Sequence, residues 1–192
     1  MNWINNYVRP RINSIFSRRE TPDNLWTKCE ECGTMLFHRE VSDNLNVCTS
    51  CGHHMAITPR ERFKALFDGG IFTEVKVPAP TPDPLHFRDQ KKYPDRIKAA
   101  QKKTGEKDAL IVQNGQLLGI DIVAAAFEFS FMGGSMGSAV GERFVRGVNS
   151  AIERRCPMIC FSASGGARMQ ESLFSLMQMA KTSAALKRMS QK

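Results

Sequence analysis

Apolar positions along this chain change their spacing several times, and each change marks an element. Between residues 25 and 57 they come as Leu25-Trp26-Thr27, Met35-Leu36-Phe37 and Leu45-Asn46-Val47, runs suited to short strands. Thr58-Pro59 ahead of Arg60 to Phe67 predicts a helix, with Thr58 as N-cap, Pro59 at the first helical position and Gly69-Gly70 as the stop. Ala109-Leu110-Ile111-Val112 and Leu117 to Phe129 are apolar, β-branched runs, and Asn114-Gly115 between them predicts a hairpin turn. Val140, Phe144, Val148 and Ile152 then recur at every fourth position, which places one apolar stripe on a helix. Pro157 precedes a short strand of buried type, Met158 to Phe161. A second long helix follows, with Leu173, Leu176, Met177, Ala180, Ala184 and Leu186 on or near one face. The methionines of this stretch, Met169, Met177, Met179 and Met189, are expected in the helix core. The order hairpin, glycine turn, helix, strand, glycine turn, helix predicts an α/β fold with crossover connections.

Two stretches lack such a pattern. Residues 1–24 are polar and basic, broken by Pro10 and Pro22, and are expected to form an arm with at most a short helix from Trp3 to Val8. Residues 78–108 read as a linker, because Pro78, Pro80, Pro82, Pro84 and Pro94 punctuate a charged stretch without apolar periodicity until Ile97. The expected organisation is therefore a basic arm (1–24), a cysteine module (25–57), a helix with a Pro/Lys-rich connector (58–108) and an α/β region (109–192). No apolar run approaches the roughly 20 residues of a membrane span, and Met1 to Arg19 lacks the apolar stretch of a secretory signal, so a cytoplasmic location is expected.

Composition changes this picture little: 42% of residues are apolar and 24% charged, enough to bury a core. The net charge of +8 matters more through its distribution. Residues 86–107 carry eight Lys or Arg against three acids, and residues 138–192 carry nine against three. Such an excess fits either an anionic partner or a solvated basic face.

Candidate chemistry begins with the cysteines. Cys29-x2-Cys32 and Cys48-x2-Cys51 let two thiolates of each tight turn reach one ion, and the two pairs together complete a tetrahedral shell of four sulfurs. Gly33 and Gly52 follow the pairs, as knuckles require. Four protein ligands leave no position for water, so one structural zinc per chain is expected; His53 and His54 are then surface residues, and Cys156 and Cys160 are inert.

The glycine pairs Gly133-Gly134 and Gly165-Gly166 are the second candidate. Backbone amides without side-chain obstruction, next to a helix N-terminus, suit a phosphate or an oxyanion developing on a carbonyl; a plain tight turn is the other reading. Neither pair belongs to a P-loop or to G-x-G-x-x-G, and no Ser, His and Asp constellation is present, which argues against kinase, dinucleotide and hydrolase chemistry. Asp121, Glu128 and Glu171 are carboxylates of this region, with nothing in their spacing to bring two together.

Several stretches taken together resemble a known family. They are Trp26-Thr27-Lys28-Cys29 through Cys51; Phe87-Arg88-Asp89 with Lys91-Lys92-Tyr93; and Thr104-Gly105-Glu106-Lys107-Asp108-Ala109. To these add Ala124-Ala125-Ala126-Phe127-Glu128-Phe129 leading to Phe131-Met132-Gly133-Gly134-Ser135-Met136-Gly137, and Phe161 through Gly165-Gly166-Ala167-Arg168 to Glu171. From Trp26 to about Met189 the chain resembles the β subunit of acetyl-CoA carboxylase carboxyltransferases of the bacterial and plastid type.

The resemblance implies a crotonase-like ββα spiral behind an N-terminal zinc ribbon. It also implies an α subunit as partner in an α2β2-type heterotetramer, acting with biotin carboxylase and the biotin carboxyl carrier protein. In that family a carboxyl group passes from carboxybiotin to acetyl-CoA, giving malonyl-CoA for fatty-acid synthesis. Carbon dioxide leaves carboxybiotin, the ureido anion takes a methyl proton, and backbone amides hold the enolate and ureido oxygens. Carried onto this chain, Gly165, Gly166 and Ala167 are expected to line the catalytic site. Gly133 and Gly134 are expected beside the substrate, and Arg168, with the basic run Arg88 to Lys107, at the CoA phosphates. The family's β subunit continues past the equivalent of Lys192 through another strand and Gly-Gly turn, so a C-terminally truncated, partial spiral with exposed helix faces is expected.

Two other functions compete: a nucleic-acid-binding ribbon and a non-catalytic assembly protein. Against the first, residues 25–57 hold only Lys28 and Arg39 against Glu30, Glu31, Glu40 and Asp43.

Overall fold

In the computed structural model, which describes residues 25–77 and 83–191, the chain divides into two units, Met1–Ala56 and Ile57–Lys192. The basic arm, with the helix expected from Trp3, lies outside the described residues, as do residues 78–82 of the proline-rich stretch.

In the first unit, β1 (Trp26–Lys28) pairs antiparallel with β2 (Met35–Phe37), and α1 (His38–Asp43) follows directly. The expected strand Leu45-Asn46-Val47 does not form. Leu45 (φ 53°) and Asn46 (φ 60°) both adopt the left-handed conformation, which bends the chain after α1, and only Val47 bridges, to His54. The asparagine side chain stabilises that bend by donating to the Ala56 carbonyl at 2.7 Å. Among the described residues, the buried interior of the unit is Cys29, Leu36, Val41 and Cys48, with Met55 against it.

The second unit begins with α2 (Pro59–Leu66), closed at its start by a reciprocal capping box between Thr58 and Glu61. A four-stranded sheet of order β3-β4-β5-β6 follows, from β3 (Phe72–Glu74), β4 (Leu110–Leu117), β5 (Ile120–Phe127) and β6 (Met158–Phe161). The first three strands are antiparallel; β6 lies parallel to β5, reached through α4 (Ser138–Arg154). Thus β4, β5 and α4 make one ββα unit and β6 opens the next.

Strand alternation sends side chains to two faces. Leu110, Val112, Val123 and Ala125 cluster with Phe131, Val140 and Ala151, while Ile111, Ile122, Ala124 and Ala126 cluster with Phe63 and Phe67 of the α2 region. Both faces are covered, which explains why β5 reads as a continuous apolar run rather than an alternating one.

The predicted hairpin exists, but its turn does not lie at Asn114-Gly115. Those residues sit inside β4, opposite Val123 and Ile122, and the chain reverses at Leu118-Gly119, both with positive φ. Asp68 holds that turn by accepting from the N–H groups of Leu118 and Gly119 at 2.9 and 2.8 Å. Gly115 serves packing: a Cβ there would lie 2.4 Å from Phe67 Cδ1, in a ring cluster with Phe63 and Phe72. Gly115→Ala is expected to destabilise the second unit by about 1–3 kcal/mol through overpacking, read from a shifted urea midpoint.

The segment expected to be a linker contains α3 (Tyr93–Thr104), with Pro94 in its first turn and Gly105 (φ 73°) closing it in the left-handed conformation. Tyr93, Ile97 and Ala100 face inward, a helical spacing too sparse among lysines to stand out. The last helix, α5 (Leu173–Met189), departs from expectation differently. It buries Ser175 and Ala185, and its Gln178 lies over Gly141 of α4. Leu173, Leu176, Met177, Met179 and Leu186 are exposed, as is Met169 before the helix; Met189 alone of the methionine set packs on the core. Among the described residues, no helix is long and apolar enough to cross a membrane.

Candidate functional site

The two cysteine knuckles share one construction. In each, the first cysteine is buried and the second exposed. Cys29 N donates to Thr34 O and Gly33 N to Cys29 O; Cys48 N donates to His53 O and Gly52 N to Cys48 O. Gly33 and Gly52 take nearly the same φ, 73° and 74°. All four sulfurs lie within 4.8 Å of one another, with Cys29–Cys51 at 3.7 Å and Cys32–Cys48 at 3.8 Å. A tetrahedral ion with Zn–S of about 2.3 Å demands sulfur separations of about 3.8 Å, so the cluster fits zinc.

Hydrogen bonding with the Thr34 side chain and backbone brings the Cys32 thiol pKa down to about 6. Cys51 is pushed up to about 12: the His53 backbone hydrogen bond lowers it, but burial and the neighbouring sulfurs outweigh that. A divalent cation would bind every sulfur as thiolate.

In the second unit the two glycine turns lock onto each other. Gly165 N donates to Gly133 O at 2.8 Å, Met136 N to Gly166 O at 2.8 Å and Arg168 N to Met136 O at 3.0 Å. The approach requires glycine: a Cβ on Gly134, whose φ is 64°, would stand 2.1 Å from the Ala163 carbonyl oxygen. Gly133 and Gly134 therefore meet the other turn. Of the expected amides, Gly165 N is engaged inside the lock and Gly166 N donates to Ser164 Oγ at 3.2 Å. Ala167 N finds no acceptor among the described residues, and Ala167 is exposed.

Arg168 stands elsewhere than the resemblance implied. Its side chain is 0% exposed, so it does not reach a solvent-borne phosphate. Nε donates to Ser135 Oγ (3.2 Å), Nη1 to Tyr93 Oη (3.1 Å) and Asp108 Oδ2 (3.1 Å), and Nη2 to Asp108 Oδ1 (2.7 Å) and the Ser135 carbonyl (2.8 Å). Its guanidinium also lies 5.7 Å from the centre of the Phe131 ring. Burial works against its charge, but the hydrogen bonds and attraction of Asp108 outweigh that and raise its pKa further.

Glu171 completes the cluster, accepting from Tyr93 Oη at 2.6 Å and, on its other oxygen, from Ser138 N and Oγ at 2.7 and 2.5 Å. Gly137 leaves the room it needs, since a Cβ there would lie 2.4 Å from Glu171 Oε1. Burial pushes the Tyr93 hydroxyl up, so it remains a donor. Tyr93 and Asp108 entered the sequence reading only within motifs, and the sole signal for their role was that a chain seldom buries Arg without a carboxylate.

Beside this cluster an open cavity of about 440 Å³ is lined by Lys91, Arg96, Ala99, Met132, Ser135, Ala167, Met169 and Gln170. Two of the basic residues expected near phosphates, Lys91 and Arg96, thus stand at one cavity with Ala167.

Residues 56–192 match the Carboxyl transferase domain family, and residues 26–51 the acetyl-CoA carboxylase zinc finger domain. The chain belongs to the carboxyl transferase family. The resemblance drawn from the motifs is borne out: a relative from Jannaschia sp. is 66% identical over 97% of this chain and is named acetyl-coenzyme A carboxylase carboxyl transferase subunit beta. A relative of the same name from Dinoroseobacter shibae is 65% identical over 97% of the chain. The chain spans 58% of the length of both. Among solved carboxyl transferase structures, a transcarboxylase 12S crystal structure with hydrolysed methylmalonyl-coenzyme A bound is 28% identical, with a TM-score of 0.52 over 69% of this chain and 24% of that one. The expected α/β, crotonase-like ββα architecture behind a four-cysteine zinc ribbon is the fold of this carboxyl transferase chain.

Proposed function

We propose that the chain acts as the β subunit of an acetyl-CoA carboxylase carboxyltransferase. With an α subunit, in an α2β2-type assembly, it would move the carboxyl group of carboxybiotin, borne on the biotin carboxyl carrier protein and loaded by biotin carboxylase, to acetyl-CoA. One carboxybiotin and one acetyl-CoA yield one biotin and one malonyl-CoA; the methyl carbon loses a proton and gains the carboxyl group. The same reading places the assembly in the cytoplasm.

The observation that carries it is the Ala167 amide: an N–H without an acceptor among the described residues, at a cavity, in a turn hydrogen-bonded to a second turn. A fixed backbone donor suits an oxygen that gains charge on a thioester carbonyl, and needs no side-chain acid. Gly166 is the second amide of the turn, and Gly165, Gly133 and Gly134 supply the lock behind them. Lys91 and Arg96 at the cavity suit the phosphates of the thioester's carrier, a role that passes to them from Arg168. Cys29, Cys32, Cys48 and Cys51 would hold zinc as a closed structural site and take no part in the reaction. The nucleic-acid reading loses its support to the acidic balance of the ribbon.

Mixing the chain with an α-type partner, carboxylated carrier and acetyl-CoA is expected to give malonyl-CoA. Gly166→Val, forcing a β-branched residue into φ 120°, should lower the rate by about tenfold or more, whereas His86→Ala leaves it unchanged. No malonyl-CoA under conditions where a full-length relative produces it would sink the reading.

A further inference from the structure

The cavity is walled by three segments far apart in sequence: residues 91–99, residues 132–135 and residues 167–170. Hydrophobic packing alone does not fix their mutual position to the fraction of an ångström that an oxyanion donor needs. Directional, buried hydrogen bonds do. Those available converge on Arg168: its guanidinium holds Ser135 of the second segment, Tyr93 at the start of α3 and Asp108 ahead of β4. Its own backbone N–H donates to Met136, and its carbonyl accepts from Ser175 of α5 at 2.5 Å. Tyr93 Oη accepts from Arg168 and donates to Glu171, which in turn holds the first turn of α4 at Ser138. Arg168 does not itself line the cavity, its side chain being wholly buried, and it reaches the lining through Ser135.

Resting on the carboxyl-transfer reading, we infer that Arg168, through Asp108, Tyr93 and Glu171, is the positioning residue of this site: it locks the Gly165–Ala167 turn onto Gly133–Met136 and so sets where the Ala167 N–H stands. A planar fork is needed, since two parallel bonds to Asp108 and two to Ser135 fix both the direction and the rotation of the group, which an ammonium cannot do.

The mildest break is Tyr93→Phe, which keeps the ring and removes one hydroxyl between Arg168 and Glu171. The full chain, alone and with its α-type partner, is compared with that variant and with Arg168→Lys. In Tyr93→Phe the amides of Met136, Gly165 and Arg168 should exchange with solvent about tenfold faster while those between β4 and β5 keep their protection. The kcat for malonyl-CoA formation should fall by about tenfold, with KM for acetyl-CoA within about twofold of the parent. Arg168→Lys should move both readouts further in the same direction.

Unchanged exchange at those three amides, or equal acceleration throughout residues 57–191, would overturn the inference, as would a raised KM with kcat intact. Should the parent chain itself make no malonyl-CoA, the function proposed above fails. The exchange comparison then decides alone: selective loosening of the lock supports positioning, and uniform or absent loosening refutes it.

Discussion

Cys48→Ser should release the zinc and unfold residues 25–56 while leaving the second unit folded. Among the described residues, the apolar interior of the ribbon beyond its cysteines is Leu36 and Val41 with Met55, far too little to offset the chain entropy of residues 25–56. Metal binding therefore has to supply the folding free energy, which for structural zinc sites is on the order of 10–16 kcal/mol near neutral pH. A serine keeps the size of the side chain but presents a hard hydroxyl that stays protonated, and three thiolates do not close the shell. Zinc content should drop from one ion per chain to none, and the amides of Gly33 and Gly52 should lose their dispersion in NMR spectra. Zinc content equal to the parent's would refute the ligand assignment. His53→Ala is the matched control: the residue enters the knuckle through its backbone carbonyl, so the ion should remain.

Arg168→Met should be the most damaging single change in the second unit, costing about 3–5 kcal/mol. Asp108 and Glu171, each with 6% of the side chain exposed, would be left as buried carboxylates without their cation. The methionine fills part of the volume and donates nothing to Ser135 or Tyr93. The exposed pair Arg154–Asp121, with 41% and 46% of its side chains accessible, makes the comparison: Asp121→Asn should cost no more than about 1 kcal/mol. Urea denaturation of the second unit, followed for both variants, tests the contrast. Equal midpoints would refute the expected cost of leaving Asp108 and Glu171 buried without their cation.

Much of this molecule was legible in residue order. The knuckles are local, with their ligands in two tight turns, and spacing alone carried the assignment. The α2 cap was legible for the same reason, since Thr58 and Pro59 act within one turn. The stripe of α4 followed from periodicity, and β6 from the short apolar run after Pro157.

Where expectation and structure part, a distant partner decided. Asn114-Gly115 has the chemistry of a turn, yet Gly115 is needed against Phe67, so the chain runs on to Leu118-Gly119 before reversing. Residues 93–104 look like connector because three inward positions among lysines make little pattern, but Tyr93 is held by residues 75 and 78 positions further along. The apolar side of α5 has the pattern of a core face, whereas the small residues Ser175 and Ala185 are what this helix buries.

Arg168 shows the division most sharply. In sequence it is a cation at the end of a glycine turn, equally suited to a phosphate outside or a carboxylate inside. Residue order established the glycine turns, the metal ligands and the ββα order, because each depends on neighbours within a few positions. Only the tertiary structure settled that Arg168 turns inward, since that follows from where the fold carries Asp108, 60 residues earlier, and no local pattern encodes it.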